Sequence, residues 1–400
     1  MPIRVPWVFC LVGLGALAAA SAASPDLAGA SAQQVYPAFV LVAGLLLVGL
    51  VANDDGLFEA AGSGLARIAP SGLGLFAGAT VMISLVTATL NLDTSVAFLT
   101  PVFVYAARKF PDGSEMAEGA GPAGSRPHAG NTEAPLVYGC LMLSNAASLL
   151  LPGANLTNLI VLGKLGLGGG AFLARMWLPA LAAVAVTAIV VVAVEWRALR
   201  GVRQRWIGRP GPSLHFRRDQ AVGVTAVLAA TVLVLVLPAP AIPVAAVGLI
   251  AAVVHLGRRR IRLGDVGEVL GIPVLVGLFG VAVALGTVGR LWAGPAELLA
   301  RLDSVGTAAL AAAASVVVNN LPAASLLGAK TPSHAFSLIV GLNLGPNLCV
   351  TGSLAWLLWL KAARRAGAWP SLARASLIGA IAVPLSMAAA LAGLALTRLT

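Results

Sequence analysis

Charge is what this chain has least of. Only 10% of its 400 residues are charged, and acids are the scarcer sign, 15 against 26 Lys and Arg. With 59% hydrophobic residues and a mean hydropathy of +0.93, an ordinary soluble domain is excluded. The few charges fall between apolar stretches of roughly 17 to 25 residues, the length that crosses a bilayer as a helix. Polar–apolar alternation is also missing, which excludes an outer-membrane barrel. Cys10, Cys140 and Cys349, all in apolar context, read as buried reduced thiols rather than disulfides. No His-Glu-x-x-His, Gly-x-Ser-x-Gly or Walker loop occurs, so neither an enzyme nor a cofactor is expected. The four histidines, His128, His215, His255 and His334, lie in or beside predicted loops. Gly166-Leu-Gly168-Gly169-Gly170 has neither the Lys-Ser/Thr nor the preceding strand of a phosphate loop and reads as a turn.

What is present is an excess of positive charge, +11. Its placement argues for membrane topology, not nucleic acid. Basic residues concentrate at Arg108-Lys109, at Arg197 through Arg218, at Arg258–Arg262 and at Lys361–Arg365. Cytoplasmic loops of inner-membrane proteins carry such excesses. With Arg4 inside, about 20 of the 26 Lys and Arg fall on the cytoplasmic side. Residues 1–24 resemble a secretory signal peptide, but Arg4 and the acidic loop at Asp26 fit a first transmembrane helix.

The pattern predicts an all-α polytopic membrane protein of about nine transmembrane helices plus two re-entrant hairpins. Spans are expected near 5–23, 35–52, 136–163, 171–196, 220–238, 241–256, 268–290, 334–361 and 372–396. Stretches 71–108 and 304–329 read as hairpins, because each has a polar centre. The halves repeat the order span, hairpin, interrupted helix, closing helix in opposite orientation, an inverted repeat. Residues 1–196 form the first unit, with a flexible linker at 110–134; 197–219 is a basic cytoplasmic loop; 220–400 is the second unit. The first unit has one fewer leading helix.

Polar residues interrupt the apolar segments in two matched pairs. Asn91, Asp93, Thr94 and Ser95 sit at the centre of the first hairpin, and Asn319 and Asn320 at that of the second. Asn155, Thr157 and Asn158 follow Pro152-Gly153; Asn343, Asn347, Thr351 and Ser353 surround Gly345-Pro346 and Gly352. Such groups are costly in hydrocarbon unless protein or a water-filled site satisfies them. Two hairpins and two breaks therefore predict one shared site near mid-membrane. Asp93 is the one carboxylate expected deep inside an apolar segment, able to exchange a proton near neutral pH. The alternative is a structural Asp at a hairpin turn. Cys349 lies in the second break, where a thiol can bind a soft ion or serve as a small apolar filler. Lys164 and Lys330 on the outer side attract anions or are solvated loop lysines.

At Asp93…Leu99-Thr100-Pro101, Val318-Asn319-Asn320-Leu321-Pro322 and Leu344-Gly345-Pro346…Gly352-Ser353-Leu354-Ala355-Trp356-Leu357-Leu358-Trp359-Leu360, the chain resembles the arsenical pump (arsenite permease) family of the ion-transporter superfamily. Asp54-Asp55-Gly56-Leu57-Phe58-Glu59 is similar to it as well. That superfamily also holds citrate and divalent-anion carriers and sodium–proton antiporters. The resemblance covers roughly residues 35–396. It implies scaffold and transport subdomains, secondary transport, often as a dimer, and expulsion of uncharged arsenite or antimonite with proton exchange. The chain departs from the family in having Leu92 between Asn91 and Asp93, and Asn343 and Asn347 where arsenite pumps often carry Asp and Lys. The expected partners are the bilayer, a small inorganic or organic ion, and a coupling proton or sodium ion. Competing readings are an anion carrier, an antiporter, and a membrane-embedded assembly subunit.

Overall fold

The structure, a computed structural model, describes residues 4–109, 132–163, 165–200 and 220–397. Most of the expected linker, the basic loop beyond Arg200 and Lys164 lie outside the described residues. Those described are helical, without a β-strand. The first half comprises α1 (Arg4–Ala23), α2 (Pro25–Asp54), α3 (Leu57–Ile68), α4 (Gly72–Thr89), α5 (Leu92–Lys109), α6 (Glu133–Ala147), α7 (Leu156–Leu162), α8 (Gly169–Val194) and the short α9 (Trp196–Arg200). The second comprises α10 (Ala221–Val236), α11 (Ala241–Gly257), α12 (Leu263–Leu270), α13 (Ile272–Leu291), α14 (Gly294–Arg301), α15 (Ser304–Val318), α16 (Asn320–Leu327), α17 (Ala335–Leu344), α18 (Leu354–Arg365) and α19 (Leu372–Leu396).

Two expected boundaries move. Residues 25–34 are helix, not loop: α2 begins at Pro25, whose fixed φ suits the first helical position. The span expected at 268–290 is broken by Gly271, left-handed at φ 53°, between α12 and α13. Among the described residues, five stretches are long and apolar enough to cross a bilayer alone: Pro25–Asp54, Gly72–Thr89, Gly169–Val194, Leu263–Leu291 and Leu372–Leu396. The expected spans at α10 and α11 are shorter helices, 16 and 17 residues.

Packing pairs equivalent elements reciprocally. α1 lies on α13 and α11 lies on α2, while α2 and α13 pack on each other. Both crossings run glycine to backbone. A Cβ on Gly277 would sit 2.6 Å from the Phe9 carbonyl oxygen, and one on Gly44 would sit 2.6 Å from Ala245 Cα. Small residues permit this approach, and dispersion across it replaces the hydrophobic drive that lipid does not supply. The two closing helices, α8 and α19, also pack together. The exchange goes further: α5, second arm of the first hairpin, packs on α18, beyond the second break, and α16, second arm of the second hairpin, packs on α7, beyond the first. α10 has no counterpart among the described helices of the first half.

The hairpins enter from opposite ends of the molecule. Gly72, starting α4, abuts the Leu199 carbonyl, and Arg108, near the end of α5, donates to Glu133 at 2.9 Å and to the Ala366 and Gly367 carbonyls at 2.9 and 3.0 Å. That end also holds Arg260–Asp55 at 2.7 Å, Arg374–Glu195 at 2.7 Å, and Glu268 with Lys361 at 3.1 Å and Arg365 at 2.6 Å. His255, in the last turn of α11 beside the loop, is nonetheless fully buried, Nδ1 2.9 Å from Asp54. The second hairpin opens at the other end, where Gly328 meets Gln34 and Ser304 meets His334.

Candidate functional site

Each hairpin turns on an asparagine. Asn91 and Asn319 have φ of 138° and 77°, among the three non-glycine residues with positive φ in the described chain. Asparagine tolerates such backbone better than most residues because its short amide bonds locally. Both do so as caps: Asn91 Oδ1 accepts from Thr94 N at 2.7 Å, and Asn319 Oδ1 from Leu321 N at 3.4 Å. Asp93 therefore stands in the first turn of α5, where the helix dipole favours a negative charge. It is half-buried, and no described residue forms an ion pair or hydrogen bond with it.

The two breaks meet in a buried amide cluster. Pro152-Gly153 ends the helical run after α6, and Asn155 restarts it as α7 by accepting from Thr157 N at 3.2 Å. Asn155 Nδ2 reaches into the other repeat and donates to Asn343 Oδ1 at 2.7 Å, which also accepts from Ser148 Oγ. Asn343 Nδ2 donates to Asn158 Oδ1 at 2.7 Å and to the Ile339 carbonyl at 2.8 Å. Asn158 Nδ2 returns to the Ser148 carbonyl at 2.8 Å. One turn on, Asn347 accepts from Asn145 Nδ2 at 2.9 Å and donates to the Met142 carbonyl at 3.1 Å. The Ser148 carbonyl, freed by the first break, is thus satisfied by a side chain, as unwound backbone in a membrane requires.

The second hairpin tip is tied to its own break. Asn319 Nδ2 donates to the Thr351 carbonyl at 3.1 Å and Asn320 N to the Gly352 carbonyl at 2.9 Å. Thr351 Oγ1 donates to the Val316 carbonyl at 2.7 Å and lies 2.8 Å from Cys349 Sγ. Trp356 Nε1 donates to the Pro346 carbonyl at 2.7 Å, so the Trp-containing motif also serves the break. The first tip differs. Asn91 Nδ2 and Thr94 Oγ1 are buried without a partner, as are Thr157 Oγ1 and Ser353 Oγ.

The twelve predicted residues therefore fall into three groups, not one cavity wall. Asn155, Asn158, Asn343 and Asn347 form the central cluster, with Thr157 in the first turn of α7. Asn319, Asn320, Thr351 and Ser353 belong to the second tip and its break, and Thr351 is exposed. Asn91, Asp93 and Thr94 form the first tip, and no hydrogen bond joins them to the cluster. The bridge is a hydroxyl pair, Ser144 Oγ to Ser95 Oγ at 3.2 Å, beside Asn145. Asn145, Ser144 and Ser148 were missed by the sequence reading. Their signal was available: polar residues at helical spacing in an otherwise apolar α6.

Residues 1–360 match the citrate transporter family. The arsenical pump membrane protein of Escherichia coli K12 is 24% identical over 363 residues, covering 82% of this chain and 78% of the relative. That of Shigella flexneri matches equally. Among solved structures, the YdaH transporter of Alcanivorax borkumensis superposes with a TM-score of 0.45 at 15% identity, covering 98% of this chain and 97% of that one. A family match over most of the chain, on a helical membrane fold with two interlocked polar breaks, makes this protein a multi-pass secondary transporter that belongs to the citrate transporter family.

Proposed function

We propose that the chain exports arsenite or antimonite across the cytoplasmic membrane in exchange for protons, with its N-terminus inside. The observation that carries this reading is the chemistry of the three polar groups. Their donors and acceptors are asparagine amides, hydroxyls and backbone; among the described residues the one charge is Asp93, and no Lys or Arg stands among them. An anionic carboxylate calls for cationic donors or helix N-termini. An uncharged arsenite hydroxyl pairs with neutral amides and hydroxyls, and the unpartnered Asn91 Nδ2 and Thr94 Oγ1 beside Asp93 supply them. Asp93, without a cation, is the group able to bind and release the coupling proton.

The family name supports a second reading, a citrate carrier whose anion is held by hairpin N–H groups. Expression in an arsenite-sensitive host separates the two. Export predicts raised tolerance to arsenite or antimonite, lost on Asn319→Leu and made pH-independent by Asp93→Asn. No gain from a well-expressed protein, with citrate uptake into the same cells, moves the assignment to the citrate reading. Wild-type transport and pH dependence in Asp93→Asn makes that residue a structural one.

A further inference from the structure

At the end opposite the Arg-rich loops, one side chain joins the two halves of the site. Gln34, half-buried on α2, donates both amide hydrogens: to the Ile160 carbonyl at 2.9 Å and to the Gly328 carbonyl at 3.0 Å. Ile160 is in the last turn of α7 and Gly328 caps α16. The last carbonyls of a helix have no partner within it. One amide therefore satisfies the free ends of two short helices from opposite repeats. These helices carry Thr157 and Asn158, and Asn320.

Gln34 is itself held. Arg290, on α13, donates through Nη2 to Gln34 Oε1 and through Nη1 to Ser31 Oγ at 2.7 Å and to the Gly286 carbonyl at 3.0 Å. The guanidinium meets no carboxylate among the described residues; its partners are Ser31, Gln34 and carbonyls. Tight packing accompanies the polar contact. A Cβ on Gly289 would meet the Leu326 carbonyl at 2.5 Å, and one on Gly328 would lie 3.6 Å from the Val161 side chain.

We propose that Gln34 is a positioning residue: a clip, fixed by Arg290, that holds α7 and α16 together against α2 and α13. Its consequence rests on the transporter reading, since a carrier that moves the hairpins and broken helices past α2 and α13 must release both carbonyls in each cycle. Gln34 then sets the balance between the arrangement seen here and its alternative.

The test uses the full chain in nanodiscs, as wild type, Gln34→Ala and Gln34→Glu. The Glu variant keeps size and the Arg290 contact but cannot donate to two carbonyls. Hydrogen exchange should quicken about tenfold in the last turns of α7 and α16 together, in both variants, as loss of a hydrogen bond to each end implies. Spin labels at exposed Val288 and Lys330 should give one distance in wild type and a second, longer population in both variants. Wild-type exchange in Gln34→Glu, or quickening of only one helix, overturns the clip. Quickened exchange with one unchanged distance overturns its control of position and leaves a helix cap. Neither readout needs a substrate, so loss of the arsenite reading would leave the result standing.

Discussion

At the residue scale, the chain handles polarity in a membrane by giving several asparagines more than one duty. Asn155 caps α7 and reaches the other repeat; Asn319 caps α16 and ties its tip to the second break. Asn343 is the hub, with four hydrogen bonds and no exposure. Replacing it by Leu, which branches at the same carbon but is larger and cannot hydrogen-bond, leaves Asn155 Nδ2, Asn158 Oδ1 and Ser148 Oγ buried without that partner. Each such group costs about 1 to 3 kcal/mol, so the loss should reach roughly 3 kcal/mol even with partial relaxation. Thermal unfolding in detergent should show a clear drop in Tm for Asn343→Leu. A drop no larger than that of a lipid-facing Leu substitution would mean the cluster is not cooperative. Asn343→Asp, which keeps the acceptor but adds a charge far from any cation in the cluster, should be at least as harmful.

At the element scale, close helix crossings carry the scaffold. The α1–α13 crossing places Gly277 against the Phe9 backbone, where even a methyl would stand 2.6 Å from a carbonyl oxygen. Backbone cannot yield as a flexible side chain does. Gly277→Ala should therefore destabilise by about 1 to 3 kcal/mol, the usual cost of overpacking. Gly15→Ala on α1 is the control: nothing lies within 4 Å of its added Cβ, and alanine favours a helix. Comparing Tm values of the two variants checks this. Equal effects would show that the crossing adjusts freely. The short helices also lean on their surroundings: α7 is 7 residues and α16 is 8, too short to hold alone, so each depends on caps and on the other repeat.

At the scale of the whole molecule, charge is segregated between two ends. Asp55–Arg260, Glu195–Arg374, Glu133–Arg108 and Glu268 with Lys361 and Arg365 occupy one end; Gln34, Arg290 and the loop bearing Lys330 occupy the other. The positive-inside rule predicts that the first end faces the cytoplasm. In a chain stripped of Cys10, Cys140 and Cys349, an impermeant thiol reagent added to intact cells should label Lys330→Cys. Arg258→Cys and Lys361→Cys should react only after permeabilisation. Opposite sidedness for Arg258 and Lys361 would contradict the arrangement of α11 and α18.

Sequence alone determined the solvent, the element order and the repeat. Helix-length apolar runs, basic clusters between them and two matched polar interruptions leave few alternatives in a bilayer, where exposed backbone must be satisfied internally. The breaks at Pro152-Gly153 and Gly345-Pro346 were legible because proline and glycine act locally. Tertiary structure alone decided which polar groups meet. That Asn155 and Asn158 pair with Asn343, nearly two hundred residues away, follows from α7 packing on α17 of the other repeat, which no local pattern encodes. The same holds for His255, beside a predicted loop in sequence yet sealed against Asp54 and Asp55, and for Gln34, one polar residue in a long apolar helix. Their roles come from the helix ends brought to them, and a helix end finds its partner only in the assembled fold.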